Sequence, residues 1–285
     1  TMKLSKIFAL LLALCLISSA ACAATFTDAH GNVIELDDSL EAYAAVTLVG
    51  ADNAARQGET NLGDLWADAL RWFAVSGEIN AAFDEDDVKA GNDRIAVDAD
   101  HVVALWNGGN LRADIAEGTF GAEALAEVLP FPNKVAVVYM TGAQLLETLE
   151  AASQGLPYTA ETADACASLM QVSGLTYTVD TAKAYDALEA YGDHWFTAGS
   201  VSRVRIDDVN GQPFDAEATY AVVTSNANFN GMDSSYVLKA AAEANEQSAV
   251  TTAVVRDVVF RFIAAELNHQ VGEAYAAPQG RLTVL

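Results

Sequence analysis

From residue 44 onward, continuous apolar runs of strand length alternate with segments whose apolar residues recur every three or four positions. The runs Ala44–Val49, His101–Trp106 and Val135–Met140 predict strands. Leu62, Leu65, Trp66, Ala69, Leu70 and Phe73 stand at helical spacing, and Thr60 or Asn61 just before them is able to cap the free amides. A short helix is predicted around Ala122 to Leu129, ended by the turn Pro130-Phe131-Pro132-Asn133. A further helix is opened by Thr141, with Gln144 completing a capping box. Such alternation means mixed layers of helix and sheet.

On the N-terminal side, Thr25 to Leu36 alternates around His30-Gly31-Asn32 and predicts a β-hairpin, joined by an acidic connector to the main domain. Residues 79 to 100 are polar and Asp-rich, and residues 153 to 168 form a polar, alanine-rich insertion. Strands follow at Gln171 to Val179, Ser202 to Asp207 and Thr219 to Thr224, with Asn210-Gly211 marking a hairpin turn between the last two. Apolar spacing from Ala249 to Leu267 predicts a long amphipathic helix, and Arg281 to Leu285 a closing strand. No repeat or flexible linker divides the chain.

The first residues change this picture at one end only. Lys3 and Lys6, the apolar run Ile7 to Ile17 and the small residues Ser18 to Ala24 follow the order of a secretory signal, and the run is too short to span a bilayer. Two exits fit: cleavage after Ala21-Cys22-Ala23, or lipidation of Cys22. The expected division is a signal over residues 1–24, a hairpin and connector over 25–45 and one domain over 46–285, secreted or held at the cell surface. No transmembrane segment is expected. With Cys15 and Cys22 removed or acylated, Cys166 stands alone, which excludes a disulfide framework and a cysteine zinc site.

Composition adds a limit on partners. At 52% hydrophobic and 19% charged, the chain has the material for a substantial core. Its formal net charge of −24 repels nucleic acid, so polymer binding is not expected and a small anion would need clustered arginines. Extracellular solubility accounts for the acidic excess.

Four separated segments carry candidate chemistry: Arg56-Gln57-Gly58-Glu59-Thr60-Asn61-Leu62-Gly63-Asp64-Leu65, Asn107-Gly108-Gly109-Asn110-Leu111-Arg112, Leu129-Pro130-Phe131, and Val172-Ser173-Gly174-Leu175. With the closing Gly280-Arg281-Leu282, their order and spacing resemble the C-terminal domain of the 5'-nucleotidase and UDP-sugar hydrolase family, from about Val46 to the end. The resemblance implies an α+β fold, layered α/β/β/α with mixed β-sheets. In that family this domain holds the nucleotide, while a separate N-terminal domain with two metals hydrolyses the phosphate. It implies that Asn107 contacts the base, that Arg112 and Arg56 approach the phosphate or ribose side, that Phe131 forms an aromatic wall, and that Asp233 takes the ribose hydroxyls. The set is chemically coherent, since rings stack on bases, a carboxylate accepts two vicinal hydroxyls and guanidinium groups fork onto phosphate oxygens. Glycines 108 and 109 are expected to let the backbone approach the ligand.

Two positions depart from the family pattern. Ala227 stands six residues before Asp233, where the family has its second stacking Phe, leaving Phe229 as the replacement to be tested. Gly58 stands where some members carry another arginine. The four histidines, His30, His101, His194 and His269, are scattered, so no metal ligand, catalytic residue or cofactor is assigned; Asp28-Ala29-His30-Gly31 is read as a turn despite its likeness to a phosphatase metal motif. The expected function is a secreted nucleoside- or nucleotide-binding protein, non-catalytic alone. The alternatives are a split nucleotidase working with a separate metallophosphatase subunit, and a surface or assembly protein using the domain as a scaffold. Thr60 and Asn61 as caps, Gly63 as a packing contact and Phe131 as a core anchor are the structural readings of the same residues.

Overall fold

The computed structural model describes residues 25–27, 33–35, 41–91 and 95–285. In chain order the strands are β1 (Thr25–Thr27), β2 (Val33–Glu35), β3 (Glu41–Ala44), β4 (Val102–Asn107), β5 (Gly118–Gly121), β6 (Lys134–Thr141), β7 (Met170–Ser173), β8 (Leu175–Val179), β9 (Ala187–Tyr191), β10 (Trp195–Ala198), β11 (Val204–Val209), β12 (Thr219–Ser225), β13 (Ala249–Val254), β14 (Gln270–Val271) and β15 (Leu282–Val284). The helices are α1 (Ala54–Gln57), α2 (Asn61–Val75), α3 (Glu85–Ala90), α4 (Ala122–Val128), α5 (Gly142–Ala152), α6 (Asn226–Phe229), α7 (Tyr236–Ala244) and α8 (Val255–Ala265).

A five-stranded mixed sheet, ordered β13-β6-β12-β4-β7, divides two apolar cores. Successive residues of one strand serve opposite cores: Val102, Ala104 and Trp106 of β4 join the layer with α2 and α8, while Val103 and Leu105 join the layer with α5, α7 and the small sheet β11-β8-β15. Burial on both faces is why these strands read as continuous apolar runs rather than alternating ones. The fold is α+β with mixed sheets, and β4 and β12 run parallel within it.

Helix α2 starts at Thr60, whose hydroxyl accepts from Gly63 N at 3.0 Å. Asn61 is not the cap: its carboxamide accepts from Val49 N and donates to Thr47 and Tyr275 carbonyls. A Cβ at Gly63 would collide with the Gln171 side chain, so the packing reading of this glycine holds. The capping box of Thr141 and Gln144 is present.

Several elements differ from the sequence reading. The strand expected at Ala44–Val49 lies earlier, at Glu41–Ala44, paired with β5 and β14; Leu48 contributes only a bridge to Ile115. The run Gln171 to Val179 is broken by Gly174, at φ +80°, into β7 and β8 of different sheets. Asn210-Gly211 does make a tight turn, bridging Val209 and Gln212, yet β11 pairs with β8 and β12 enters the central sheet. The long helix predicted from Ala249 begins only at Val255. Ala249–Val254, rich in β-branched residues, adds an edge strand to β6 instead, with Thr251 donating to the Val135 carbonyl. The expected hairpin forms, β1 pairing antiparallel with β2, while its turn and residues 1–24, where a signal is expected, lie outside the described residues. No described helix is long and apolar enough to cross a membrane.

Candidate functional site

The C-terminal end of β4 delivers Asn107 into a cavity of about 630 Å3. The glycine turn after it brings Asn110 and Arg112 to the same cavity. The turn after α4 adds Phe131 and Asn133, and α6 with the loop behind it adds Ala227 and Asp233. Four of the six residues singled out from sequence therefore converge: Asn107, Arg112, Phe131 and Asp233.

Their polar atoms form a chain. Asn107 Nδ2 donates to Asp233 Oδ2 at 2.9 Å, and Asn110 Nδ2 donates to Asn107 Oδ1 at 2.8 Å. Asn107 is buried, so its amide is largely committed to holding the carboxylate. Asp233 sits at φ +55°, an unusual conformation for a residue with a side chain, which the surrounding bonds maintain. Burial pushes the Asp233 carboxyl upward, while the Asn107 hydrogen bond and the charges of Arg56 and Arg112 pull it back. The Arg112 guanidinium carbon lies 5.9 Å from the Phe131 ring centroid, a cation–π contact. Burial and the charge of Arg56 lower the Arg112 pKa, and Asp233 opposes them. Phe131 is 44% exposed, so its ring is a cavity wall and not a core anchor.

The remaining two residues stand elsewhere. Arg56, in α1, turns to the 153–168 segment, donating to the Ala163 carbonyl at 2.9 Å and lying 3.9 Å from Asp164. It does not line the cavity, though its charge reaches Asp233 and Arg112. Phe229 packs against the second apolar core and is absent from the cavity wall, whereas Ala227 is on it. On a helical turn, residues two apart point about 200° away from each other, so one can face the site only if the other does not. Phe229 is no substitute for a second stacking ring.

Gly108 packs against Ala55 and lies off the cavity wall, whereas Gly109 lines the cavity beside Ala167; a Cβ on either would collide with that neighbour. Sequence reasoning missed Asn110 and Asn133, although both lie inside or beside quoted motifs. The Glu-Thr-Asn motif proves structural. Leu282 N donates to Glu59, Gln279 N to Asp64, and Arg281 forks onto Asp68 at 2.8 Å, so the motif and α2 anchor the C-terminal segment. Ser173 also serves Asp68, donating at 2.6 Å. Among the described residues, no three His, Cys, Asp or Glu side chains gather as metal ligands.

The family model for the 5'-nucleotidase C-terminal domain matches residues 41–240. The chain is 28% identical over 188 residues to the trifunctional nucleotide phosphoesterase protein YfkN of Bacillus subtilis, covering 65% of this chain and 10% of that protein. A 5'-nucleotidase precursor from Thermus thermophilus superposes with a TM-score of 0.61 at 29% identity, over 86% of this chain and 39% of the other. The Haemophilus influenzae NAD nucleotidase shares the fold, with a TM-score of 0.57 at 14% identity, over 92% of this chain and 48% of the other. The chain thus spans less than half the length of each of these relatives. With the family model matched over most of its length, and its strands, helices and cavity arranged as described, the chain belongs to the 5'-nucleotidase C-terminal domain family.

Proposed function

We propose that this chain binds a nucleoside or nucleotide in the cavity between β4, the Phe131 turn and the Asp233 loop. In this reading the base lies on the Phe131 ring, and the Asp233 carboxylate accepts from the two ribose hydroxyls. Arg112 forks onto phosphate, and Asn107 orients Asp233. The observation that carries it is the convergence of one ring, one guanidinium and one carboxylate on a cavity of about 630 Å3, a volume suited to a small ligand. Phosphate ester hydrolysis, where it occurs, falls to a metallophosphatase module or partner subunit, the bound metals supplying the activated water. The N-terminal pattern of Lys3, Lys6 and the Ile7 to Ile17 run supports export to the cell exterior.

Calorimetric and thermal-shift titration with adenosine, AMP, uridine and UDP-glucose tests this, because a ligand that binds only the folded state raises its melting temperature. Saturable binding of at least one, weakened in Arg112→Ala when phosphate is present, is the expected result. Melting curves unchanged by all four ligands would overturn the proposal.

A further inference from the structure

The hairpin β9–β10 is paired with no other strand, and Ala187 to Ala190 are exposed. A lone two-stranded hairpin is marginal in water, so this one is held by what it touches. It touches both walls of the cavity. On one side Tyr191 Oη donates to the Gly231 carbonyl at 2.7 Å, and the ring lies 5.6 Å from that of Tyr236. Tyr236 Oη in turn accepts from Ala198 N, at the far end of the hairpin. On the other side Trp195 Nε1 donates to the Ala165 carbonyl at 3.2 Å, and Phe196 N donates to Gln154. His194 Nε2 lies 3.8 Å from Asp164, the carboxylate that also neighbours Arg56.

The turn after β4 touches both walls as well, with Gly109 against Ala167 and Asn107 bonded to Asp233. Ala167 belongs to the 153–168 segment, and Gly231 to Asp233 form the loop between α6 and α7. That loop holds two left-handed residues, Gly231 at φ +88°, which glycine adopts freely, and Asp233 at φ +55°, which a residue with a side chain keeps only where its neighbours enforce it. Tyr191 is packed directly on it: a Cβ at Gly231 would collide with the tyrosine hydroxyl. Asn107 fixes the Asp233 carboxylate from inside the cavity, and Tyr191 fixes the backbone from outside.

We infer that the β9–β10 hairpin is a clasp that sets the width of the cavity, with Tyr191 the positioning residue that presents Asp233 to a vicinal diol. This rests on the proposed reading of the site for its ligand, but not for the clasp itself. Tyr191→Phe keeps the ring against Tyr236 and removes only the bond to Gly231; Trp195→Phe removes the bond to the Ala165 carbonyl on the opposite wall and leaves a smaller ring.

The test pairs two measurements. Amide hydrogen exchange over residues 226–233 is expected to speed up in Tyr191→Phe, and over 163–168 in Trp195→Phe, with β6 unchanged in both. Affinity for adenosine is expected to fall about two- to tenfold in Tyr191→Phe, the loss of one hydrogen bond, while 2',3'-dideoxyadenosine changes less than about twofold. Unchanged exchange in both segments overturns the clasp. Parallel loss for both ligands overturns the role of Tyr191 in presenting Asp233. If the unaltered protein binds no nucleoside, the reading of the site falls, and the exchange data alone decide the clasp.

Discussion

The side-chain amide of Asn107 donates to Asp233 Oδ2 at 2.9 Å, joining residues 126 positions apart in sequence. Because Asn110 occupies the Asn107 oxygen as well, removing this amide leaves the half-buried Asp233 carboxylate and the buried Asn110 amide without their partner. Asn107→Ala is expected to lower stability by about 1–3 kcal/mol, measured by denaturant titration, and to weaken ribonucleoside binding with it. A variant as stable as the parent would mean that water or neighbouring groups replace the bond.

Arg112 and Phe131 touch each other but serve different parts of a ligand, and substitution separates them. Phe131→Ala removes the stacking face, so AMP and adenosine should both weaken by about 1–3 kcal/mol. Arg112→Ala should cost AMP about tenfold or more and adenosine much less, a contrast that shrinks as salt rises. Calorimetry of the two ligands against the two variants gives the pattern directly; equal losses in all four combinations would refute the division of labour.

At Ala227 the direction is a gain. This residue lines the cavity on α6, where the family resemblance places a second ring, and Phe229 is committed to the core. Ala227→Phe should tighten binding of any base by up to about 1–3 kcal/mol, with little preference among bases because every base has a face to stack on. Titration with adenosine and uridine decides it, and weaker binding would show that the cavity lacks room for the ring.

What was legible in the sequence follows from where each element gets its stability. Strands β4 and β6 and helices α2 and α5 carry their own patterns, because both faces or one full stripe are buried and their caps are local. The hairpin β9–β10 was invisible: Ala187 to Ala190 are exposed, and Tyr191 and Trp195 draw their partners from segments far away in sequence. The sequence pattern makes β13 a helix because Ala249–Val254 runs directly into the apolar stripe of α8, and only pairing with β6 decides its form. In the site, residue types at motif positions were enough to gather Asn107, Arg112, Phe131 and Asp233. They could not separate Ala227 from Phe229, since the direction in which a four-residue helix turns its side chains is set by Ser225 capping Asn228 and by the core behind it. Arg56 sits in a motif that resembles a ligand contact, yet its guanidinium is taken by the Ala163 carbonyl.

The buried carboxyl of Asp64 gives a pH dependence whose sign is fixed. Burial, and next the negative charge of Glu59, push it from 3.8 up to about 8, against the pull of Arg281 and the Gln279 amide. The folded chain therefore keeps a proton that the unfolded chain has released between about pH 4 and pH 8. Its stabilising contribution is complete below that window and is lost as pH rises through it, at no more than about 1.4 kcal/mol per pH unit for one proton. Asp64→Asn mimics the protonated form, keeping an acceptor for Gln279 N and offering a donor toward Glu59. Relative to this variant, the parent should lose stability steadily from pH 5 to pH 8 in denaturant titrations, and the other carboxyls cancel in the difference. Identical slopes for the two proteins would mean that Asp64 is ionised in the fold and that Arg281, 3.8 Å away, outweighs burial.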